Sequence, residues 1–412
     1  MSLSTALGRA PRAFPSSTRS WRRLGTMIIA GLLVTGCGGS GDGETEGVPV
    51  NSLTAVTTTR ADGASQQPRD DVDAFVQQQL RSQKMPGATV VVLHDGQIVY
   101  AKGYGYGDVA HPTPIRLEQR LQIGSISKTF LATAVMMLRE EGRIDLDAKI
   151  ADYLGPEGPA YWSDVTVRQV LAHTAGLAYL PDNDFFAHID DAGATTEEHM
   201  LAAFRKYPVE FQPGSRWMYS NVGYDLLGFI VSRITGKFYG DYVKERIFTP
   251  LGMTSARYIN PNNSFADKAL GYVNTEDRWK SVDLSSGSLE YLSAGASGVE
   301  MSALDMAKFD AAVRNGTLLP TAAQTLMWTP EAAVPDMGGG LYANYGLGWF
   351  VAYMHSGNLV VSHSGGMDGY TTQYIRYVDS GWSVVVLTNL DYQVADPGLI
   401  ATGVVHMFSD DL

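Results

Sequence analysis

The chain is short of cysteine, of basic charge and of long apolar runs, and each shortage excludes something. Among 412 residues there is a single cysteine, Cys37. One thiol closes no internal disulfide and builds no thiolate metal cluster. The 31 basic residues are outnumbered by 43 acidic ones, for a formal net charge of -12, which argues against nucleic acid as a main partner. The apolar stretch at residues 24–36 has 13 residues, too few for the roughly 20 that span a bilayer as a helix. No Gly-x-Ser-x-Gly sequence occurs, so a nucleophile elbow of the α/β-hydrolase kind finds no support. His94, His111, His188, His199, His355 and His406 are scattered without ligand spacing, so no metal and no other cofactor is expected. What is present is ordinary for a folded protein: 45% hydrophobic and 18% charged residues, over a length that buries a large core.

The lone cysteine has a telling position. Residues 1–36 carry Arg9, Arg12, Arg19, Arg22 and Arg23 and no acidic residue, then the apolar stretch, then Val34-Thr35-Gly36-Cys37. This resembles a bacterial lipoprotein signal, in which the cysteine becomes the lipidated first residue. Cleavage there leaves 26 basic against 43 acidic residues, a net charge of about -17. The surface would then repel anionic lipid, and a lipid anchor would have to hold the protein at the membrane. Residues 37–70, rich in Gly, Ser, Thr, Asp and Glu, read as a flexible tether. The expectation is an extracytoplasmic lipoprotein of the bacterial envelope.

Beyond the tether, Val72, Phe75, Val76 and Leu80 have helical spacing across 71–83, and Pro86-Gly87 ends that element. The apolar run 88–93, Asp95-Gly96 and 97–103 read as a hairpin. Residues 125–141, 165–171, 195–205, 222–234, 238–248 and 301–313 read as helices. Residues 345–353, 359–362, 371–377 and 382–387 have strand composition, and 396–408 a final helix. Strands at both ends with helices between predict an α/β (α+β) domain over 71–412. Its mostly antiparallel sheet is flanked by terminal helices and holds a helical insertion at about 120–290. Loops at 181–194 and 276–289 are expected to shape a pocket.

Three polar clusters could carry chemistry. In Ser125-Ile126-Ser127-Lys128 a serine and a lysine three apart share one helix face. A serine hydroxyl needs a base beside it, and a lysine serves only if its surroundings lower its pKa. Read structurally, Ser125 is a helix N-cap and Lys128 a solvated residue. Trp217-Met218-Tyr219-Ser220-Asn221 precedes an apolar helix. There Tyr219 could relay a proton and Asn221 orient a lysine or hold a substrate carbonyl, or Asn221 is simply an N-cap. Ser362-His363-Ser364-Gly365-Gly366 follows a strand. Its glycines allow a backbone N–H close to a substrate oxygen, or form a turn between strands.

In order, the three clusters resemble the penicillin-binding protein and β-lactamase superfamily of serine hydrolases. The nearest branch is similar to class C β-lactamases, D-alanyl-D-alanine carboxypeptidases and family VIII esterases. The pattern Ser-x-x-Lys, Tyr-x-Asn, His-x-Gly stands here as Ser125/Lys128, Tyr219/Asn221 and His363/Gly365. Other segments share the resemblance: 166–177, 247–253, 293–298, 345–349 and 363–370. It spans roughly residues 71–408.

The resemblance implies a β-lactamase/transpeptidase-like fold and an acyl-enzyme on Ser125. It implies proton transfer shared by Lys128 and Tyr219, with the division between them open. Asn221 would position Lys128 and the acyl group, and the backbone N–H groups of Ser125 and Gly366 would form an oxyanion hole. His363, Ser364, Gly365 and Gly366 would line the substrate. Histidine stands where β-lactamases carry a lysine suited to a substrate carboxylate; it is charged only part of the time near neutral pH, so strong recognition of such a carboxylate is not expected. The implied function is cleavage of an amide, peptide or ester bond in a small molecule or short peptide, with peptidase or amidase chemistry favoured. The alternatives are a carboxylesterase, a β-lactamase, or a penicillin-binding sensor that acylates without turnover.

Overall fold

The computed structural model describes residues 47–50, 58–60, 69–155, 160–178, 197–205, 208–259, 267–282, 294–335, 340–409 and 412. Cys37, the 1–36 signal, most of the expected tether and the 181–194 loop lie outside them.

A ten-stranded sheet organises the domain. Its centre is formed by β1 (Gly87–His94), β2 (Gln97–Asp108), β3 (Phe350–Tyr353), β4 (Leu359–Met367), β5 (Tyr370–Tyr377) and β6 (Trp382–Thr388). The spatial order is β3-β4-β5-β6-β1-β2, every neighbouring pair antiparallel. β1 and β6 join the two ends of the chain, with Val91 opposite Val385. Alternation along each strand sorts side chains between two cores. Val91, Leu93, Val361, Tyr374, Val385 and Leu387 face the helical region. Val90, Val92, Val360, Ile375, Val384 and Val386 face the terminal helices α1 (Asp70–Ser82) and α5 (Pro397–His406). α1 presents Val72, Val76 and Leu80, one turn apart, to that second core.

Between the two sheet segments lie α2 (Ser127–Glu140), α3 (Asn221–Thr235) and α4 (Ala303–Arg314). Short strands run through the expected helical insertion as well. Arg257–Tyr258 and Leu121–Gln122 both pair with Val299–Met301, and Tyr272–Thr275 pairs with Arg278–Ser281.

Several expectations need correction. α2 begins at Ser127, and Ser125 sits in a preceding 3-10 turn, Gly124–Ile126. The 345–353 strand is two strands, Asn344–Tyr345 and β3. The chain leaves the ladder between them so that the Leu347 N–H reaches the Met327 carbonyl at 2.9 Å. The Ser362–Gly366 cluster is no turn: β4 continues through it to Met367, because β5 pairs with every residue of it. Inside the expected 37–70 tether, Val48–Pro49 pairs with Arg278–Trp279 and Thr58–Arg60 with β2. A sheet edge leaves a row of unpaired backbone groups, and this segment supplies partners for them. Among the described residues no helix is long and apolar enough to cross a membrane.

Candidate active site

Three elements converge on Lys128. It lies in the first turn of α2, fully buried. Its Nζ is 3.1 Å from Ser125 Oγ, 2.8 Å from Asn221 Oδ1 and 2.8 Å from the Ala296 carbonyl oxygen. Burial lowers its pKa from the ordinary 10.5 to about 7, against the opposing negative charge of Asp225. At pH 7 about half of the molecules then carry the neutral amine, where an ordinary lysine has about three in ten thousand. Counting acceptors decides its orientation. Asn221 Oδ1 and the Ala296 carbonyl only accept, so they take the two N–H bonds of a neutral amine. The lone pair is left for the third contact, the Ser125 hydroxyl. Such an arrangement can deprotonate a nucleophile.

Asn221 is free for this task because it is not the cap of α3. Ser220 is, accepting the Gly223 N–H at 3.0 Å. Tyr219 stands one residue earlier. Lys128 Nζ lies 4.7 Å from the centre of its ring, and the His173 ring is 4.2 Å from it. His173 fixes this turn. Its backbone is left-handed, its Nδ1 accepts the Ser220 N–H at 3.1 Å, and its carbonyl accepts the Met218 N–H at 2.8 Å.

The Ser125 turn packs directly on β4. Gly124 has φ +54, and a β-carbon there would fall 2.8 Å from the Gly366 nitrogen. A β-carbon on Gly365 would fall 2.0 Å from the Ile123 carbonyl oxygen and 2.5 Å from Thr372 Oγ1. The Thr372 hydroxyl in turn donates to that same Ile123 carbonyl at 2.8 Å. Only glycine allows this approach. The contact brings the nucleophile turn against the backbone of Gly365 and Gly366. Gly365→Ala should therefore push the turn off β4 and slow modification of Ser125 about 100-fold. The rate of labelling by a fluorophosphonate measures this, and a rate near that of wild type would contradict so close a contact.

His363 is brought near the cluster but not opened to it. It is 1% exposed, with its ring 6.4 Å from that of Tyr219. Its Nδ1 lies 2.7 Å from the Ser364 carbonyl, which can only accept, so Nδ1 carries the proton. Its Nε2, 3.0 Å away, then accepts from the Tyr345 hydroxyl. Burial, with the Lys128 charge nearby, lowers its pKa to about 3. It is a neutral ring with both nitrogens engaged. Ser364, half-buried, joins through its carbonyl, and its hydroxyl lies beside Tyr342. Gly366 is exposed.

Three residues of this environment were given no role from the sequence: Ala296, Asp225 and Tyr345. Ala296 acts through its carbonyl, which no side-chain pattern reveals. Asp225 left a signal, as the one acidic residue in a largely apolar helix, four residues after Asn221 and so on the same face. Among the described residues no group of His, Cys, Asp and Glu could hold a metal ion.

Comparison with known proteins agrees with this architecture. A penicillin-binding protein of Bacillus subtilis (strain 168) is 30% identical over 314 residues, covering 73% of this chain and 67% of its own length. The octameric penicillin-binding protein homologue from Pyrococcus abyssi superposes with a TM-score of 0.71 at 28% identity, over 82% of this chain and 77% of that one. A D-stereospecific amidohydrolase from Streptomyces sp. shares the fold, with a TM-score of 0.64 at 24% identity over 81% and 97% of the two chains. The fold is thus that of the β-lactamase/transpeptidase-like superfamily, whose members are generally serine hydrolases. The chain belongs to the Beta-lactamase family, whose profile matches residues 72–404.

Proposed function

We propose that this protein is a serine hydrolase that cleaves an amide, peptide or ester bond in a small substrate through an acyl-enzyme on Ser125. The observation that carries the reading is the buried Lys128 amine, held by two acceptors and 3.1 Å from Ser125 Oγ. Ser125 Oγ attacks the substrate carbonyl carbon while Lys128 takes its proton. The backbone N–H groups of Ser125 and Gly366 receive the oxyanion. The proton passes to the leaving amine or alcohol, by way of Tyr219 or directly from Lys128, as the scissile bond breaks. Water then attacks the ester on Ser125, gives a proton back along the same path and releases the acid.

Amide or peptide substrates are favoured, in keeping with the penicillin-binding relative and the amidohydrolase neighbour. The state of His363 narrows this further. A neutral ring with both nitrogens engaged offers no cation to a substrate carboxylate. Short peptides ending in a free carboxylate should therefore be cleaved no better than the same peptides ending in an amide. The test is a substrate panel of nitrophenyl esters, peptide amides in both forms and nitrocefin, run with intact-mass detection of the Ser125 adduct. A marked preference for the free carboxylate removes the specificity argument. A stable adduct without product release points to a sensor. Hydrolysis of esters alone points to a carboxylesterase. Placement at the bacterial envelope through a lipidated Cys37 belongs to the same proposal, supported by the arginine-rich and apolar residues that precede it.

A further inference from the structure

The 294–298 turn supplies the third contact of Lys128, and its own supports are unusual. The Ala296 N–H donates to Asp225 Oδ1 at 3.1 Å, while the carbonyl of the same residue accepts from Lys128 Nζ at 2.8 Å. One residue therefore links a buried carboxylate to the buried amine. The turn is pressed onto α3 at that point: a β-carbon on Gly295 would fall 2.6 Å from the Tyr224 carbonyl oxygen and 3.1 Å from Asp225 Cα. Its far end is tied to α2, where the Val299 N–H donates to Ser127 Oγ at 3.0 Å. Asp225 is 1% exposed and sits one helical turn after Asn221. A buried carboxylate is costly unless its neighbours compensate it, and here it stands behind the one buried ammonium group of the site.

We propose that Asp225 is a positioning residue for the Ser125–Lys128 pair: it fixes the Ala296 peptide that orients the amine, and its charge governs how readily that amine takes a proton. The proposal rests on the Ser125 chemistry put forward above. The groups around Lys128 on every packed element leave this task to Asp225. Tyr219 and Asn221 come from the turn before α3 and its first residue, Tyr224 and Asp225 from α3 itself. His173 comes from the segment after Val167–Leu171, and His363 from β4. Burial lowers the pKa of both histidines and raises that of Tyr224, so these groups stay neutral. Asp225 supplies the negative charge that stabilises the ammonium form.

Asp225→Asn separates the two roles. An asparagine oxygen still accepts the Ala296 N–H, whereas the charge is gone. The neutral amine then persists to lower pH. The acid limb of the pH dependence should move down by at least about half a unit, so that the rate at about pH 6 rises roughly threefold relative to its plateau. A residue that only tied down the turn would change thermal stability or the plateau rate and leave the inflection in place. The experiment follows fluorophosphonate labelling of Ser125 by intact mass, from about pH 5 to about pH 9, in wild type and variant. Should Asp225→Asn fail to fold, Asp225→Ser, neutral and smaller, reads the same shift. A downward shift supports the proposal. Labelling of both proteins at Ser125 with the same inflection overturns the role of Asp225 and leaves the hydrolase reading standing. A wild type that takes no label at Ser125 overturns the hydrolase reading and this role with it.

Discussion

Ser125→Ala should lower hydrolysis of every responsive substrate at least about 1,000-fold and abolish the fluorophosphonate adduct, while the protein melts as wild type does. The large kinetic effect follows from the loss of the hydroxyl placed against the lone pair of Lys128. The small structural effect follows from the surroundings. Ser125 is half-buried in a 3-10 turn, and its hydroxyl caps nothing, because α2 starts two residues later. Asn221 and the Ala296 carbonyl still hold the amine when the hydroxyl is gone. Equal turnover by wild type and variant across the panel would mean that the chemistry lies elsewhere or is absent.

Lys128→Ala should cost a further kind of activity, the ability to ionise the nucleophile, and lower the rate about 100- to 10,000-fold. It should also weaken the fold, since Asn221 Oδ1 and the Ala296 carbonyl lose their shared donor. Lys128→Met keeps the volume and is the better control for that loss. The pH dependence of wild type gives independent access to the same group. The amine acts when neutral, and its pKa is about 7. Activity should thus be complete above about pH 8 and fall as pH drops through 7, roughly tenfold per unit below it. A steady rate down to about pH 5 would show that a protonated Lys128 is tolerated, which is incompatible with its role as a base.

Much of this architecture was legible in the residues. The α1 stripe, the Asp95-Gly96 hairpin and the strands near the C-terminus follow from periods of 3.6 and 2, because each of these elements buries a definite face. Short elements left a weaker signal. Val167–Leu171 was still legible, within 165–171, but Ile150–Leu154, with five residues, is too short for a helical period to repeat. β4 was underestimated because glycine is a poor strand former. Its last residues are held in the sheet by β5 on one side and by the nucleophile turn against their face. In the site, the pairing of Ser125 with Lys128 is local and was readable from spacing. The contribution of Ala296 is tertiary and made by backbone, which leaves no mark on residue type. His363 was expected to be charged part of the time. The enclosure by Tyr345 and the Ser364 carbonyl that keeps it neutral is visible only once β4 lies beside its neighbours.

The pairing of β1 with β6 also governs when the domain can form. Ala88 lies opposite Thr388, so the middle of the sheet closes a loop of some three hundred residues. Until that last strand exists, β1 has only its hairpin partner β2, and both cores lack a wall. A growing chain therefore cannot settle from its N-terminus forward. It must be kept from collapse or aggregation over nearly its whole length, then assemble with the slow kinetics of non-local sheet pairing.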